Sequence, residues 1–223
     1  MPITPNAAPD SAPPSPRTKI CRKPQRAHYD RASVEAIVDE ALVCFVAFNH
    51  GGSVHCLPMA CWRFDEHLYL HAAGNARMSK ALLLGECAVS IAHLDGLVLA
   101  RSAFHHSMNF RSVAIYGRFE EVLDPALKAA AFEAFVNHVS PRRAAQVRPA
   151  SPAEMAGTAL LRLPLEEAAA KIRSGGVIDA AADMNLPVWA GVLPLRLQVG
   201  VPQADEGCEN PEIPTLPPFL VRP

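Results

Sequence analysis

Between Leu42 and His71 the chain reads as three extended runs laid end to end, with turns too short for anything but hairpins. Leu42 to Phe48 is a short apolar run. Asn49-His50-Gly51-Gly52 then supplies turn chemistry before Ser53 to Phe64 resumes as extended chain, and Asp65-Glu66 turns tightly into His67 to His71. Parallel strands need a crossover of about a dozen residues or more, so these runs pair antiparallel. In the last run, alternation sets Leu68 and Leu70 on one face and His67, Tyr69 and His71 on the other.

The same grammar continues. Cys87 to Leu94 and Met108 to Leu123 are β runs joined by residues 95–107, the second long enough to bend or change sheet; Thr158 to Leu165 and Val188 to Val199 complete the set. Helices intervene at three places. Asp30 caps a stripe of Val34, Ile37, Val38, Ala41 and Leu42. Asn75 caps a short helix through Met78, Ala81 and Leu82 that stops at Gly85. Asp124-Pro125 opens the clearest helix, with Leu127, Ala131, Phe135 and Val139 on one face. Five or six strands in consecutive hairpins with a few helices predict a mainly β, antiparallel barrel rather than a parallel α/β sheet. Neither GxGxxG nor GxxxxGK[ST] occurs, which sets aside Rossmann-type dinucleotide binding and P-loop chemistry.

Proline placement marks the ends of this domain. Of 21 prolines, seven fall in residues 1–24 and six in 202–223, so residues 1–21 and 202–223 read as tails around a domain at 22–201. The tails are expected to be disordered or draped as extended chain. The C-terminal one retains enough apolar residues, in Ile213 to Leu220, to dock on the surface. A net charge of −1 gives no global field for a polyanion, and no apolar run nears the roughly 20 residues of a membrane span. The N-terminus lacks a basic segment followed by an apolar one, so a cytoplasmic location is expected. The six cysteines read as reduced thiols, mostly in apolar runs, and Cys56 with Cys61 lacks a second pair for zinc; no metal site is expected.

Charge is nevertheless uneven. Between Glu66 and Glu86 the charged residues are Arg77 and Lys80; between Asp95 and Glu120 they are Arg101, Arg111 and Arg118. Arg77 and Lys80 fall in the first turns of the predicted second helix, on one face, where exposed N–H groups and the macrodipole already favour an anion. They are either solvated surface charges or the seat of a phosphate. The second window places Ser107, Asn109 and Arg111 on one strand face.

Taken together, Arg26 to Asp30, Leu68 to Ala73, the Arg77/Lys80 helix start, residues 94–112 and Val188 to Pro194 resemble one family. It is the flavin-nucleotide-binding branch of the pyridoxamine 5′-phosphate oxidase-like split-barrel superfamily, near the nitroimidazole-resistance proteins; the likeness spans roughly 22–200. The resemblance implies a six-stranded split β-barrel with peripheral helices, and a homodimer with FMN between subunits. It implies that Arg77 and Lys80 hold the FMN phosphate beside Ser79. The strand carrying His55, Leu57, Pro58, Met59 and Ala60 would line the isoalloxazine, with His71 near the flavin and Arg111 and Ser112 reaching it from a later strand. Ser112 is shorter than the Gln usual in the oxidases. The Trp and Arg-Leu-His pattern that recognises pyridoxamine phosphate has no clear counterpart after Pro194, so that substrate is not assigned. The expected function is an FMN-dependent oxidoreductase passing electrons to a small nitroaromatic or quinone-like acceptor, with His71 orienting or protonating it. A non-catalytic FMN carrier or sensor and a split-barrel haem protein are the alternatives.

Overall fold

The computed structural model describes residues 11–209 and 212–221; the first ten residues of the N-terminal tail, and its expected disorder there, lie outside the described residues. Strand β1 (Ala27–His28) precedes helix α1 (Arg31–Asp39), which Asp30 caps by accepting from the Ser33 N–H at 2.8 Å. Next come β2 (Val43–His50), β3 (Ser53–Ala60), β4 (Trp62–Phe64), β5 (His67–Ala73), helix α2 (Arg77–Leu84), β6 (Cys87–Leu99), β7 (Ser107–Gly117) and β8 (Glu120–Glu121). Helices α3 (Pro125–Val139) and α4 (Pro152–Gly157), then β9 (Thr158–Pro164), β10 (Ala168–Arg173) and β11 (Gly191–Pro194), complete the order.

All strand pairs are antiparallel. Seven strands form one sheet in the order β1-β10-β7-β6-β2-β3, with β11 beside the end of β6; β4-β5-β9-β8 form a second. These are the halves of a split β-barrel with peripheral helices: the hairpin grammar predicted an antiparallel barrel, and the family resemblance implied its split form. The two sheets close on one core: Cys44, Val46, Val89, Ile91 and Ile115 from the large sheet meet Leu68, Leu70, Leu161 and Leu163 from the small one, with Ile37, Val38 and Leu82 of α1 and α2 sealing it. The small sheet is buried on its other face as well, where Trp62, Tyr69, Val122 and Leu160 pack beneath Ala131, Phe132 and Phe135 of α3.

Several boundaries differ from the sequence reading for physical reasons. The extended run from Ser53 to Phe64 breaks at buried Cys61, so β3 pairs in one sheet and β4 in the other. The long run after Met108 does change sheet, at Gly117, whose φ of 149° suits glycine. Ala168–Arg173, to which the sequence reading assigns no element, becomes β10 because it fills the lane between β1 and β7. Of the last predicted strand only Gly191–Pro194 pairs. Ala76, not Asn75, is the N-cap of α2, and it makes no side-chain bond. Past β11 the chain runs exposed and returns at Thr215–Leu220, where Ser140 Oγ donates to the Thr215 carbonyl at 2.8 Å and Phe219 meets the His138 ring.

Candidate functional site

The first turn of α2 has no capping side chain and no acid. Its orphan N–H groups therefore lack the usual intramolecular acceptor. Arg77 and Lys80 are exposed there, and neither is in an ion pair among the described residues. Ser79 between them is only 3% exposed, and its hydroxyl oxygen is buried without a hydrogen-bond partner. Two cations, uncapped amides and an unsatisfied buried hydroxyl thus share one turn, a cradle of the kind that favours an anion.

Strand β3 is the free edge of the large sheet and is exposed from Ser53 to Pro58. His55, Leu57 and Met59 leave it on the core side, where His55 stacks on Phe48 at 5.4 Å between ring centroids and Met59 packs against the core. Pro58 and Ala60 share the outer face with Phe45 and Val43, their cross-strand partners. An edge with unpaired backbone groups and small side chains is a bench against which a flat ring can lie.

His71 sits on the α3 side of the small sheet. Its ring is 5.3 Å from Phe135, 5.9 Å from Trp62 and 6.1 Å from Phe132. Burial lowers its pKa, so the imidazole is neutral near pH 7 and is a poor proton donor there. Its Nδ1 is buried without a partner, and so is Trp62 Nε1 in the same cluster.

Arg111 and Ser112 leave β7 on opposite faces, and neither joins the α2 cradle. Arg111 Nε and Nη2 donate to Asp95 at 3.0 and 2.9 Å, and Nη1 donates to Glu40 at 2.7 Å, so the guanidinium ties β6 and β7 to the end of α1. Ser112 Oγ donates to the Lys171 carbonyl at 3.3 Å, inside a small groove walled by Arg17, Lys19 and Lys171. Nothing in the sequence distinguishes an arginine aimed at a ligand from one aimed at Asp95 and Glu40.

One feature escaped sequence reading altogether: a largely apolar cavity of about 900 Å³ between α3, the 140–151 loop and α4. Ala126, Ala129 and Ala130 form its α3 wall, and Phe132 lines it too. The only signal was the alanine stripe at i, i+3 and i+4, which reads equally as helix propensity.

Residues 30–172 match the family model described as pyridoxamine 5′-phosphate oxidase. The chain belongs to that family. As a member of the pyridoxamine 5′-phosphate oxidase family it is similar to the flavocytochrome Anf3 from Azotobacter vinelandii, at 36% identity over 93% of this chain and 96% of that one, with a TM-score of 0.83. It is also similar to an FAD and haem binding protein from Mycobacterium smegmatis, at 30% identity over 87% and 95% of the two chains, TM-score 0.79. A putative 5-nitroimidazole antibiotic resistance protein from Bacteroides thetaiotaomicron shares the fold at 20% identity over 66% and 86%, TM-score 0.56. No curated protein matches this family member.

Proposed function

We propose that this chain binds a flavin nucleotide and serves as a redox protein that passes electrons from reduced flavin to a small acceptor. The observation that carries the reading is the α2 start, with Arg77, Lys80 and the orphaned Ser79 hydroxyl on an uncapped helix turn. The similarity to a flavocytochrome and to an FAD and haem binding protein supports the same cofactor class. FMN and FAD both carry a phosphate on the ribityl chain, and that phosphate is what the cradle fits; FMN is the form the sequence resemblance implies. The isoalloxazine would lie along His55 to Ala60, and the flavin supplies the electron chemistry while the chain sets position and access. Because His71 is neutral, its contribution is to orient an acceptor rather than to protonate it.

The reading includes a homodimer. Val43, Phe45 and Val54 are 48%, 52% and 76% exposed on the outer face of β2 and β3, an apolar surface that a second copy would cover. A second reading adds haem to the flavin, because the relatives at 36% and 30% identity are described as a flavocytochrome and as FAD and haem binding. The visible spectrum of the purified protein tests both. Two flavin bands are expected, bleached by reduced nicotinamide and restored by an added quinone or nitroaromatic. A flavin that stays bound but is never reoxidised by acceptor marks a carrier, and no flavin after titration overturns the proposal.

A further inference from the structure

Between Asp10 and Asp30 lies a third acid-free window, denser in cations than the other two: Arg17, Lys19, Arg22, Lys23 and Arg26. Residues 17–20 of this window pass over the outer face of the large sheet, above β6, β7 and β10. Arg17 is neutralised where it crosses. Its Nε donates to Glu167 at 2.8 Å, its Nη1 donates to Glu86 at 2.7 Å, and the guanidinium lies 5.1 Å from the Tyr116 ring centroid. Thr18 is buried and donates from Oγ to the Ser15 carbonyl at 2.8 Å, while the Ile20 N–H donates to the Tyr29 hydroxyl at 2.9 Å. The segment is thereby fixed, and the space beneath it is preformed.

That space is a groove of about 280 Å³ whose lining holds three cations, Arg17, Lys19 and Lys171, and no carboxylate. Its floor is made of short side chains: Lys171 faces Ser112 and Ala169 faces Ala114 across β10 and β7, with Ser90 opposite Ala114 on β6. Lys19 and Lys171 are in no ion pair among the described residues. Two residues further along β10, Arg173 is 6% exposed, bonds the Asn109 side chain and the Gly176 carbonyl but no acid, and keeps a buried Nε without a partner. Uncompensated positive charge therefore extends past the groove along one strand.

The charge and shape of the groove select its guest. With Arg17 offset by its two glutamates, Lys19 and Lys171 leave two positive charges, which match a phosphate monoester at about −1.5 to −2 near pH 7 better than a single carboxylate. Ammonium groups bind phosphate as point charges, whereas the planar carboxylate is matched by an arginine fork. The volume falls just below the roughly 300–1,000 Å³ of pockets that enclose a whole ligand, so a phosphate and its neighbouring atoms fit while the rest stays outside. No wall comes from α2 or β3, so the groove is separate from the proposed flavin cradle, and Ser112, which the family resemblance aims at the flavin, opens here instead.

We infer that the groove beneath residues 17–20 is a second anion site, which seats a phosphate monoester carried by the electron donor. The donor role rests on the redox reading above; the binding of a phosphate does not. The two common nicotinamide dinucleotides differ by one phosphate monoester, so such a site would favour the phosphorylated one, NADPH, over NADH. The nicotinamide is oxidised by loss of one hydride, and the flavin is reduced by taking that hydride and a proton from solvent.

The test uses the full chain as purified. Calorimetric titration with inorganic phosphate, NADPH and NADH reads binding, and anaerobic bleaching of the flavin band reads electron transfer. Wild type should bind phosphate and should bind NADPH at least 10-fold tighter than NADH. Lys19→Ala/Lys171→Ala should weaken phosphate and NADPH at least 10-fold and leave NADH and FMN within threefold, while Arg22→Ala, an exposed cation outside the groove, should match wild type. Binding of neither phosphate nor NADPH overturns the site. A loss of FMN affinity in the double variant makes the groove the flavin's own phosphate seat and overturns its being a second site. Lysine-dependent phosphate binding with NADPH and NADH equal upholds the site and overturns the donor. Lysine-dependent NADPH binding without bleaching of bound flavin upholds the site and overturns the redox reading instead.

Discussion

Replacing both cations of the α2 cradle separates phosphate recognition from everything else the site does. In Arg77→Ala/Lys80→Ala the flavin nucleotide loses two charge-assisted hydrogen bonds, each worth about 1.5–3 kcal/mol. Both side chains are exposed, so solvent and salt screen them and the low end applies, for a total of about 3 kcal/mol. At 1.4 kcal/mol per factor of ten this is a loss on the order of 100-fold in affinity. The uncapped N–H groups and Ser79 remain, so binding is weakened rather than abolished. Quenching of flavin fluorescence, titrated with FMN, FAD and riboflavin, reads it directly. FMN should lose most because its terminal phosphate is a dianion, FAD less, and riboflavin should change less than threefold. The wild-type affinity for FMN should also fall with salt while that of the double variant stays nearly flat. Arg118→Ala, removing an exposed cation elsewhere, is the control and should bind as wild type. An equal loss for riboflavin, or a loss for FMN below threefold, would refute the phosphate assignment.

Four further outcomes rest on other parts of the structure. Arg111→Met strips Asp95 and Glu40 of a shared, half-buried guanidinium and should cost about 3 kcal/mol, lowering Tm by about 6–12 °C in a calorimetric scan; an unchanged Tm combined with lost flavin affinity would make Arg111 a ligand residue instead. Glu167 is held at about 2, chiefly by its hydrogen bond from Arg17, and because that lies below its free value near 4.5, the docking of residues 15–20 is fully supported above pH 4.5 and lost as pH falls toward 2. Hydrogen exchange in that segment should rise across this window, and pH-independent exchange would contradict it. Burial pushes the Cys87 thiol up to about 12, and a hydrogen bond with Cys61 together with burial raises Cys44, so thiol reagents should label Cys21 and Cys208 quickly and Cys44, Cys61 and Cys87 only in denaturant. Cys56 is exposed on the outer face of β3, so its protection at high protein concentration, and reactivity on dilution, would report the proposed dimer.

How far the sequence carries depends on whether an element's neighbours are local. The hairpins of β2, β3, β4 and β5 are set by turns of two to a few residues, and the Asp30 and Asp124 caps by a side chain and an amide three residues apart, so both were legible. Ala168–Arg173 was not, because it pairs with β7 some 55 residues earlier and with β1 still earlier, and nothing local in AlaAlaAlaLysIleArg announces either partner. Val188 to Val199 failed in the opposite direction: its apolar content is real, but only Gly191–Pro194 finds an open edge, where β2 leaves the end of β6 unpaired. Gly96 opposite Pro194 explains how close the chains come there, since a Cβ at Gly96 would stand 3.1 Å from the Leu193 carbonyl oxygen.

The same distinction sorts the candidate site. A helix start depleted of acids is a local property, so the two cations of the proposed α2 site could be read from charge spacing alone, and the structure adds a serine hydroxyl buried with nothing to bond, which spacing could not hold. The second positive window looked equivalent in sequence, yet its central arginine is neutralised by Asp95 and by Glu40, which is 71 residues away in the chain. Charge depletion along a sequence therefore identifies an anion site only where the fold supplies no counter-charge. At α2 no counter-charge meets Arg77 or Lys80 among the described residues, whereas at β7 two acids meet Arg111. His71 makes the complementary point: alternation placed it on a polar face with His67 and Tyr69, but α3 covers that face, and the covering helix turns a presumed surface imidazole into a neutral one enclosed by aromatic rings. Whether a histidine there can donate a proton near pH 7 is decided by a helix that begins more than 50 residues later.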